Sequence, residues 1–189
     1  MNASFLAEKF AAALAYGPYV HTGTEDQQRR WRQVHDATQL TAEQGRLLAS
    51  FRRDMKVLIV SGIWCGDCVQ QCPLLQRCAE ANRQRIDLRL LDRDEHRDLS
   101  GQLRLNGGDR VPVVLFLAED FELCSIAGDR TLSRYRALAA KQLGAACPLA
   151  ITPPDRGELA ATLQDWLDEF ERIQLMLLLS ARLRQKHGD

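Results

Sequence analysis

The chain has 189 residues, of which 46% are hydrophobic and 26% are charged, as is ordinary for a globular domain with extensions. Twenty-five basic residues offset twenty-five acidic ones, so we expect no nucleic-acid partner. Glu8 and Lys9 interrupt the apolar N-terminus, and no basic segment precedes it, which predicts a mature chain without a signal peptide. The longest strongly apolar run, Leu175 to Leu179, is far below the roughly twenty residues that span a bilayer, so we expect no membrane association and a cytoplasmic location.

Residues 1–50 predict an N-terminal helical extension. One helical face carries apolar side chains and should end at Gly17-Pro18; its members are Phe5, Leu6, Phe10 and Leu14. Two further helices should follow capping boxes, in which a hydroxyl and an amide side chain satisfy free backbone groups at a helix start. The two boxes pair Thr24 with Gln27 and Thr41 with Gln44.

Residues 51–145 predict an α/β domain. The apolar run 57–60 is typical of a strand buried on both faces, and a helix should run from Cys65 to about Asn82. Three more strands are indicated at 86–90, 111–117 and 121–127, with a turn at 119–120 between the last two. Asp129 is placed to cap the helix that follows. This order predicts a three-layer α/β sandwich with a mixed central sheet.

Residues 146–189 predict a linker and a C-terminal amphipathic helix. Prolines break the chain at 151–154, and Asp155 with Glu158 has capping-box spacing ahead of a helix that should reach about Lys186. Its apolar stripe is Leu159, Leu163, Trp166, Phe170, Ile173 and Leu177. Such a stripe needs a partner surface, either the chain's own N-terminal helices, which we favour, or a second copy in a homodimer.

The stretch from Ser61 to Pro73 holds three of the six cysteines and follows the first predicted strand directly. A C-x-x-C sequence at a helix start places its first thiol, Cys65, near free amide hydrogens and the positive end of the helix dipole, both of which stabilise a thiolate. Cys68 lies about one turn on and can reach back to resolve a mixed disulfide. The predicted catalytic pair is therefore Cys65 as nucleophile and Cys68 as resolving thiol.

The sequence Trp64-Cys65-Gly66-Asp67-Cys68 resembles the active-site motif of the thioredoxin family. Pro73 stands where that family has a helix-kinking proline, and Val111-Pro112 stands where it has a cis-proline beside the cysteines. The resemblance implies a thioredoxin-like fold and a thiol–disulfide oxidoreductase that reduces protein or small-molecule disulfides with electrons from an unidentified donor. It further implies a substrate groove formed by Trp64, Gly66, Asp67, Val111 and Pro112, with no cofactor.

Two positions depart from that family. Ile59 occupies the place, six residues before Cys65, where thioredoxins carry a buried acid that helps deprotonate the resolving thiol. Asp67 replaces the usual proline between the cysteines. Its carboxylate could serve as the alternative base, or its charge could oppose a thiolate at Cys65, and the sequence leaves the net sign open.

The other cysteines leave further alternatives. Cys72 could share a helical face with Cys68 as a third redox partner. We favour the interpretation that it packs in the core as a small hydrophobic side chain. Cys78, Cys124 and Cys147 are expected to fill the core. The spacing C-x-x-C-x-x-x-C offers three soft metal ligands, but no second pair of cysteines or histidines follows at suitable spacing, so we expect no metal. The rival functions are a non-catalytic binding module and a thiol redox sensor.

Overall fold

The computed structural model describes residues 1–143 and 157–189. Four strands form one sheet in the order β2-β1-β3-β4. Their bounds are β1 Met55–Ser61, β2 Ile86–Asp92, β3 Val113–Ala118 and β4 Leu123–Gly128. Strand β1 pairs in parallel with β2 and antiparallel with β3, and β3 pairs antiparallel with β4. The predicted α/β fold with a mixed sheet is confirmed.

The helices surround this sheet. Their bounds are α1 Ala3–Ala12, α2 Tyr16–His21, α3 Glu25–Ala37, α4 Ala42–Ala49, α5 Gly66–Ala81, α6 Arg97–Ser100, α7 Leu132–Leu143, α8 Glu158–Leu179 and α9 Ala181–His187. Helix α5 contacts β2, α3, α4 and α8, so both helical extensions reach the helix that begins at the cysteine pair.

Strand β1 lies at the centre of the core. The side chains of 57–60 are at most 1% exposed, although successive side chains of a strand point to opposite faces. Both faces of this strand are therefore covered, as the unbroken apolar run predicts. Because β1 is fixed on both faces, the loop that leaves it is delivered at a defined place, and that loop carries the first cysteine.

The N-terminal extension is largely as predicted, with one error. Both capping boxes are present: the Thr24 amide donates to Gln27 at 2.8 Å, and the Thr41 amide donates to Gln44 at 2.9 Å. The first helix, however, ends at Ala12, so Leu14 is not on its apolar face but is exposed and forms a bridge with Leu90 of β2. Gly17-Pro18 lie in the first turn of α2 and do not end α1. A proline is tolerated there because the first turn of a helix has no use for its missing amide hydrogen.

The apolar stripe of α8 packs within the chain. Leu163, Trp166, Phe170, Ile173 and Leu177 are all at most 3% exposed. The Phe170 ring meets the ring of Phe116 on β3 edge-on, with centroids 5.3 Å apart. Helix α8 also contacts α4, as expected of packing on the N-terminal extension, together with α5, α7 and β4. The homodimer stays a prediction.

The C-terminal helix is shorter than the sequence predicts. It ends at Leu179, because Ser180 adopts an extended backbone and caps the separate helix α9. A serine side chain can satisfy the free amides of a new helix, here that of Leu183, and so favours a restart at this point. The proline break at 151–154 and the Asp155 capping box lie outside the described residues.

Candidate active site

The two predicted catalytic thiols lie at the start of α5. Cys65 occupies the N-cap position, where its amide donates to the Gly62 carbonyl at 2.9 Å, and its side chain is partly exposed. Cys68, in the first turn, is fully buried. The outer thiol is therefore the one that a disulfide in solution can reach.

The two thiols are coupled. Their mutual hydrogen bond is the largest cause that raises the pKa of Cys65 above its ordinary value, and partial burial raises it further. The amides of Cys68 and Asp67 lower it, in the direction predicted for a helix start, but they are outweighed. Burial also raises the pKa of Cys68 well above its ordinary value.

Trp64 lies beside the dithiol with half of its surface exposed. Its indole packs against Gly62, where an added Cβ would come within 2.8 Å of the ring, so a side chain there would displace the indole. On the ring lies the guanidinium of Arg93, 4.8 Å from the centroid. Arg93 also donates to the Asp109 carbonyl at 2.9 Å, which connects Trp64 to the loop that precedes Pro112.

The Val111-Pro112 segment faces the outer thiol. The Cys65 Sγ lies 3.6 Å from the Val111 carbonyl oxygen, and the peptide bond between Val111 and Pro112 is cis. Gly128, at the end of β4, lies directly against Pro112, and a Cβ on Gly128 would approach the Pro112 carbonyl oxygen to well under 3.0 Å. Residues far apart in sequence are thus brought together around Cys65.

Asp67 turns its carboxylate toward two arginines that the sequence did not single out. Arg130 binds both oxygens, with Nη2 at 2.6 Å from Oδ2 and Nε at 3.0 Å from Oδ1. Arg134 reaches Oδ1 at 3.4 Å. The Asp67 side chain is 17% exposed. The negative charge between the two cysteines is therefore neutralised by an ion pair of favourable geometry.

Asp129 joins this cluster and does not cap α7 as predicted. Thr131 takes that role, because its hydroxyl accepts from the Arg134 amide at 3.4 Å. The Asp129 carboxylate instead binds Arg110 at 3.1 Å, Arg130 at 3.3 Å and the Tyr135 hydroxyl. Burial by itself would raise the pKa of Asp129, but the hydrogen bonds from Tyr135 and Arg110 reverse this and lower it.

One buried amide side chain ties α5 to this cluster. Gln71 is fully buried, and its Nε2 donates to the Asp129 carbonyl at 2.8 Å. Because Asp129 follows β4 directly, this bond holds the dithiol helix to the end of the sheet. No local sequence motif predicts the contacts of Gln71 or Arg130, because their partners lie about 60 residues away along the chain.

Hydroxyl and thiol groups surround the inner thiol. Ile59, at the position of the missing acid, is fully buried. Ser61 at the end of β1 is also fully buried, with its Oγ 3.7 Å from the Cys72 Sγ. Burial is the main cause of the raised pKa of Cys68; the hydrogen bond with Ser61 lowers it and the one with Cys72 raises it. Cys72 is buried, as expected of a small hydrophobic side chain, but its thiol is also a neighbour of the Cys68 thiol.

The remaining cysteines lie away from this site. Cys78 is fully buried in α5, Cys124 on β4 is partly exposed, and Cys147 lies outside the described residues. Within residues 1–143 and 157–189, no three His, Cys, Asp or Glu side chains are grouped so that they could hold a metal ion. Over the same residues, none of the helices combines the length and apolarity that crossing a membrane requires.

Comparisons with known proteins bear on the family and the fold. A family model described as thioredoxin matches residues 14–133. A Pseudomonas aeruginosa protein of unknown function, known from its crystal structure, superposes with a TM-score of 0.68 at 22% identity, over 88% of this chain and 97% of its own. An HIV epitope scaffold gives 0.62 at 19% identity, over 85% of this chain and 96% of its own. These two structures share the fold. No curated protein sequence matches the chain.

Proposed function

The chain belongs to the thioredoxin family, and from that premise we propose that it is a thiol–disulfide oxidoreductase acting on protein or small-molecule disulfides. The observation that carries the proposal is the unequal exposure of the pair at the start of α5, with Cys65 partly exposed and Cys68 fully buried. Only the outer thiol can meet a substrate. The inner one lies about one helical turn further on, close enough to change the pKa of the outer thiol, and we assign it the second step.

The first step is attack by the Cys65 thiolate on one sulfur of a substrate disulfide. A bond forms between Cys65 Sγ and that sulfur, the substrate S–S bond breaks, and the released sulfur leaves as a thiolate that takes up a proton. Amide hydrogens of Asp67 and Cys68 favour the thiolate form of Cys65, against the hydrogen bond with Cys68 and partial burial, which oppose it. We therefore expect attack to accelerate as the pH rises.

The second step resolves the mixed disulfide. Cys68, once deprotonated, attacks Cys65 Sγ, so that the Cys65–Cys68 disulfide forms and the second substrate sulfur leaves as a thiol. Burial raises the pKa of Cys68, and the Ser61 hydroxyl lowers it in part, where Ile59 supplies no carboxylate. An external dithiol then reduces the Cys65–Cys68 bond and closes the cycle; in an assay dithiothreitol supplies these electrons.

The substrate would lie across the Val111-Pro112 segment. The Val111 carbonyl is 3.6 Å from the nucleophilic sulfur, so an extended peptide that pairs with this backbone would present its disulfide to Cys65. Trp64, which directly precedes Cys65 and is half exposed, offers an apolar surface for the same substrate. Gly66 and Asp67 complete the groove at the start of α5.

The test is trapping of the intermediate. In Cys68→Ser, Cys65 should still attack but the mixed disulfide should not be resolved, so a stable adduct with a disulfide substrate should accumulate and be visible by intact mass spectrometry. Cys65→Ser is the matched control and should form no adduct at Cys68, because that thiol is buried. Absence of any adduct in Cys68→Ser would contradict the assigned roles.

A redox sensor is the second candidate, and the position of Cys72 is the observation that favours it. Cys72 is fully buried within hydrogen-bonding reach of Cys68, which extends the row of thiols inward from the exposed one. Mapping of each alkylated cysteine by mass spectrometry, in defined glutathione buffers, separates the two. An oxidoreductase should show one two-electron transition confined to Cys65 and Cys68, whereas participation of Cys72 would favour the sensor.

A further inference from the structure

The carboxylate of Asp67 lies between the two cysteines in the sequence, and its charge bears on the ionisation of their thiols. A carboxylate between two cysteines opposes negative charge on either sulfur, and a mostly buried carboxylate does so more strongly because less water screens it. The side chain of Asp67 is only 17% exposed. A cation that stays with this carboxylate would therefore remove one effect that opposes a thiolate at Cys65.

Arg130 supplies that cation. Two of its nitrogens meet the two oxygens of Asp67, at 2.6 and 3.0 Å, and its own side chain is 24% exposed. A fork of this kind fixes the direction of the carboxylate as well as its charge. It thereby also fixes the backbone of Asp67, whose amide is one of the two that favour the Cys65 thiolate.

We infer that Arg130 is a positioning residue for the dithiol: by binding both oxygens of Asp67, it neutralises the charge that lies between the two cysteines in sequence and holds the first turn of α5, whose backbone amides approach Cys65. The inference deepens the proposed function and rests on it. Arg130 would thus influence the reactivity of Cys65 from outside the C-x-x-C motif.

Arg130 also connects the dithiol to the opposite side of the groove. Its Nη1 lies 3.3 Å from Asp129, whose carboxylate binds Arg110 at 3.1 Å. Arg110 directly precedes Val111, whose carbonyl faces the Cys65 sulfur. The same guanidinium thus contacts two carboxylates, one in α5 and one in the segment after β4.

Arg134 is the natural comparison because it contacts the same carboxylate less fully. Its single contact with Asp67 is 3.4 Å long, and its other terminal nitrogen pairs with Glu158 at the start of α8. Loss of Arg134 would leave the two-pronged contact from Arg130 in place. Loss of Arg130 would leave Asp67 with the single longer contact, so the two substitutions should differ in their effect on the thiol.

The experiment measures the rate at which iodoacetamide alkylates Cys65 in the reduced protein as a function of pH, followed on the Cys65 peptide by mass spectrometry. In Arg130→Gln the midpoint of the profile should rise by about one pH unit, which is about a tenfold slower reaction below the midpoint. Arg130→Lys should recover part of that loss, since a lysine keeps the charge without the fork. Arg134→Gln should shift the midpoint less than Arg130→Gln.

The substitution Asp67→Asn should shift the midpoint in the opposite direction, and it completes a double-mutant cycle with Arg130→Gln. It removes the carboxylate and leaves the charge of Arg130 without this partner, so the midpoint should fall. Arg130→Gln added to Asp67→Asn should then raise the midpoint by less than it does in the wild type, because part of its effect passes through the carboxylate. Because Asp67→Asn makes its own prediction, the inference can be tested even if Arg130→Gln does not fold, which circular dichroism would reveal.

Two results would overturn the inference: an unchanged midpoint in Arg130→Gln, whatever its thermal stability, or an equal shift in the presence and absence of the Asp67 carboxylate. Neither depends on disulfide turnover. A shifted midpoint in a protein that forms no mixed disulfide would therefore refute the proposed function and leave the role of Arg130 standing.

Discussion

Helix α8 and the first turn of α5 are held in place by different kinds of contact. Helix α8 lies on the core through apolar side chains, among them Trp166 and Phe170, which are at most 1% exposed. The first turn of α5 is held to the segment after β4 by ions and amides, through Asp67 with Arg130 and Gln71 with Asp129. The first kind of contact involves no charged group, whereas the second depends on an ion pair and a polar hydrogen bond.

The difference indicates where stability and chemistry reside. Burial of large apolar side chains contributes most of the free energy of folding, whereas partly exposed ion pairs contribute little to it. The same ion pairs lie around a thiol whose reactivity depends on local charge. We therefore expect substitutions in α8 to change stability without changing the thiol. Substitutions among the charged residues around Asp67 and Asp129 should change the thiol more than the stability.

The largest effect should come from Phe170→Ala. The ring is fully buried against Phe116, and its removal should cost about 3–5 kcal/mol of the free energy of unfolding, because a cavity is left in a packed core. Urea unfolding followed by circular dichroism measures this loss. Under conditions where both proteins stay folded, the alkylation rate of Cys65 should equal that of the wild type.

Leu175→Ala is the matched control on the same helix. Leu175 is about half exposed, so its truncation should change the free energy of unfolding by about 0.5 kcal/mol or less. A loss under about 1 kcal/mol in Phe170→Ala, or an equal loss in both variants, would show that the stripe of α8 does not carry the stability assigned to it.

Gly128→Ala should have the next largest effect, and it should change both the stability and the reactivity of Cys65. Gly128 has φ +140°, which an L side chain rarely adopts, and its missing Cβ makes room for the Pro112 carbonyl. Alanine should therefore cost at least about 1–3 kcal/mol and also move the segment that faces Cys65. Unlike Phe170→Ala, this variant should change both the urea midpoint and the alkylation rate.

Gly45→Ala controls for the addition of a methyl group. Gly45 lies within α4 with nothing near the position of its Cβ, so alanine there should raise the free energy of unfolding by about 0.5–1 kcal/mol. If Gly128→Ala were as harmless as Gly45→Ala, the close approach between Gly128 and Pro112 would not be a constraint.

Local patterns predict the fold better than they predict the surroundings of the dithiol. The run 57–60, the two threonine capping boxes and the stripe of α8 are each readable within a few residues of sequence, and all are present. The expected end of the first helix at Gly17-Pro18 fails because a proline suits the beginning of a helix as well as the segment after its end.

The contacts of Asp67 and Asp129 could not be read in this way. An arginine gives no sign in the sequence of which carboxylate it will bind, and Arg130 lies 63 residues from Asp67 along the chain. Asp129 had a sound local interpretation as a helix cap, but three donors close in space, including Tyr135, outcompete one backbone amide for its oxygens. Such pairings are decided by tertiary proximity.

The smallest effect should be the pH dependence that Asp129 confers. Hydrogen bonds from Tyr135 and Arg110, against the opposing effect of burial, hold the folded-state pKa of Asp129 below its ordinary value of 3.8. A carboxylate of this kind stabilises the fold above its unfolded-state pKa, and that contribution is lost as the pH falls through the folded-state pKa. Asp129→Asn should therefore be less stable than the wild type near neutral pH, and the difference should narrow under acid conditions.

Urea unfolding at about pH 7 and about pH 3 measures this change. Tyr135→Phe, which keeps the carboxylate and removes one donor, should lose part of the same pH dependence. The destabilisation caused by Phe170→Ala should be the same at both pH values, since no ionisable group takes part in that contact. If the difference in the free energy of unfolding between Asp129→Asn and the wild type did not narrow in acid, the contacts of Asp129 would not be the source of the pH dependence.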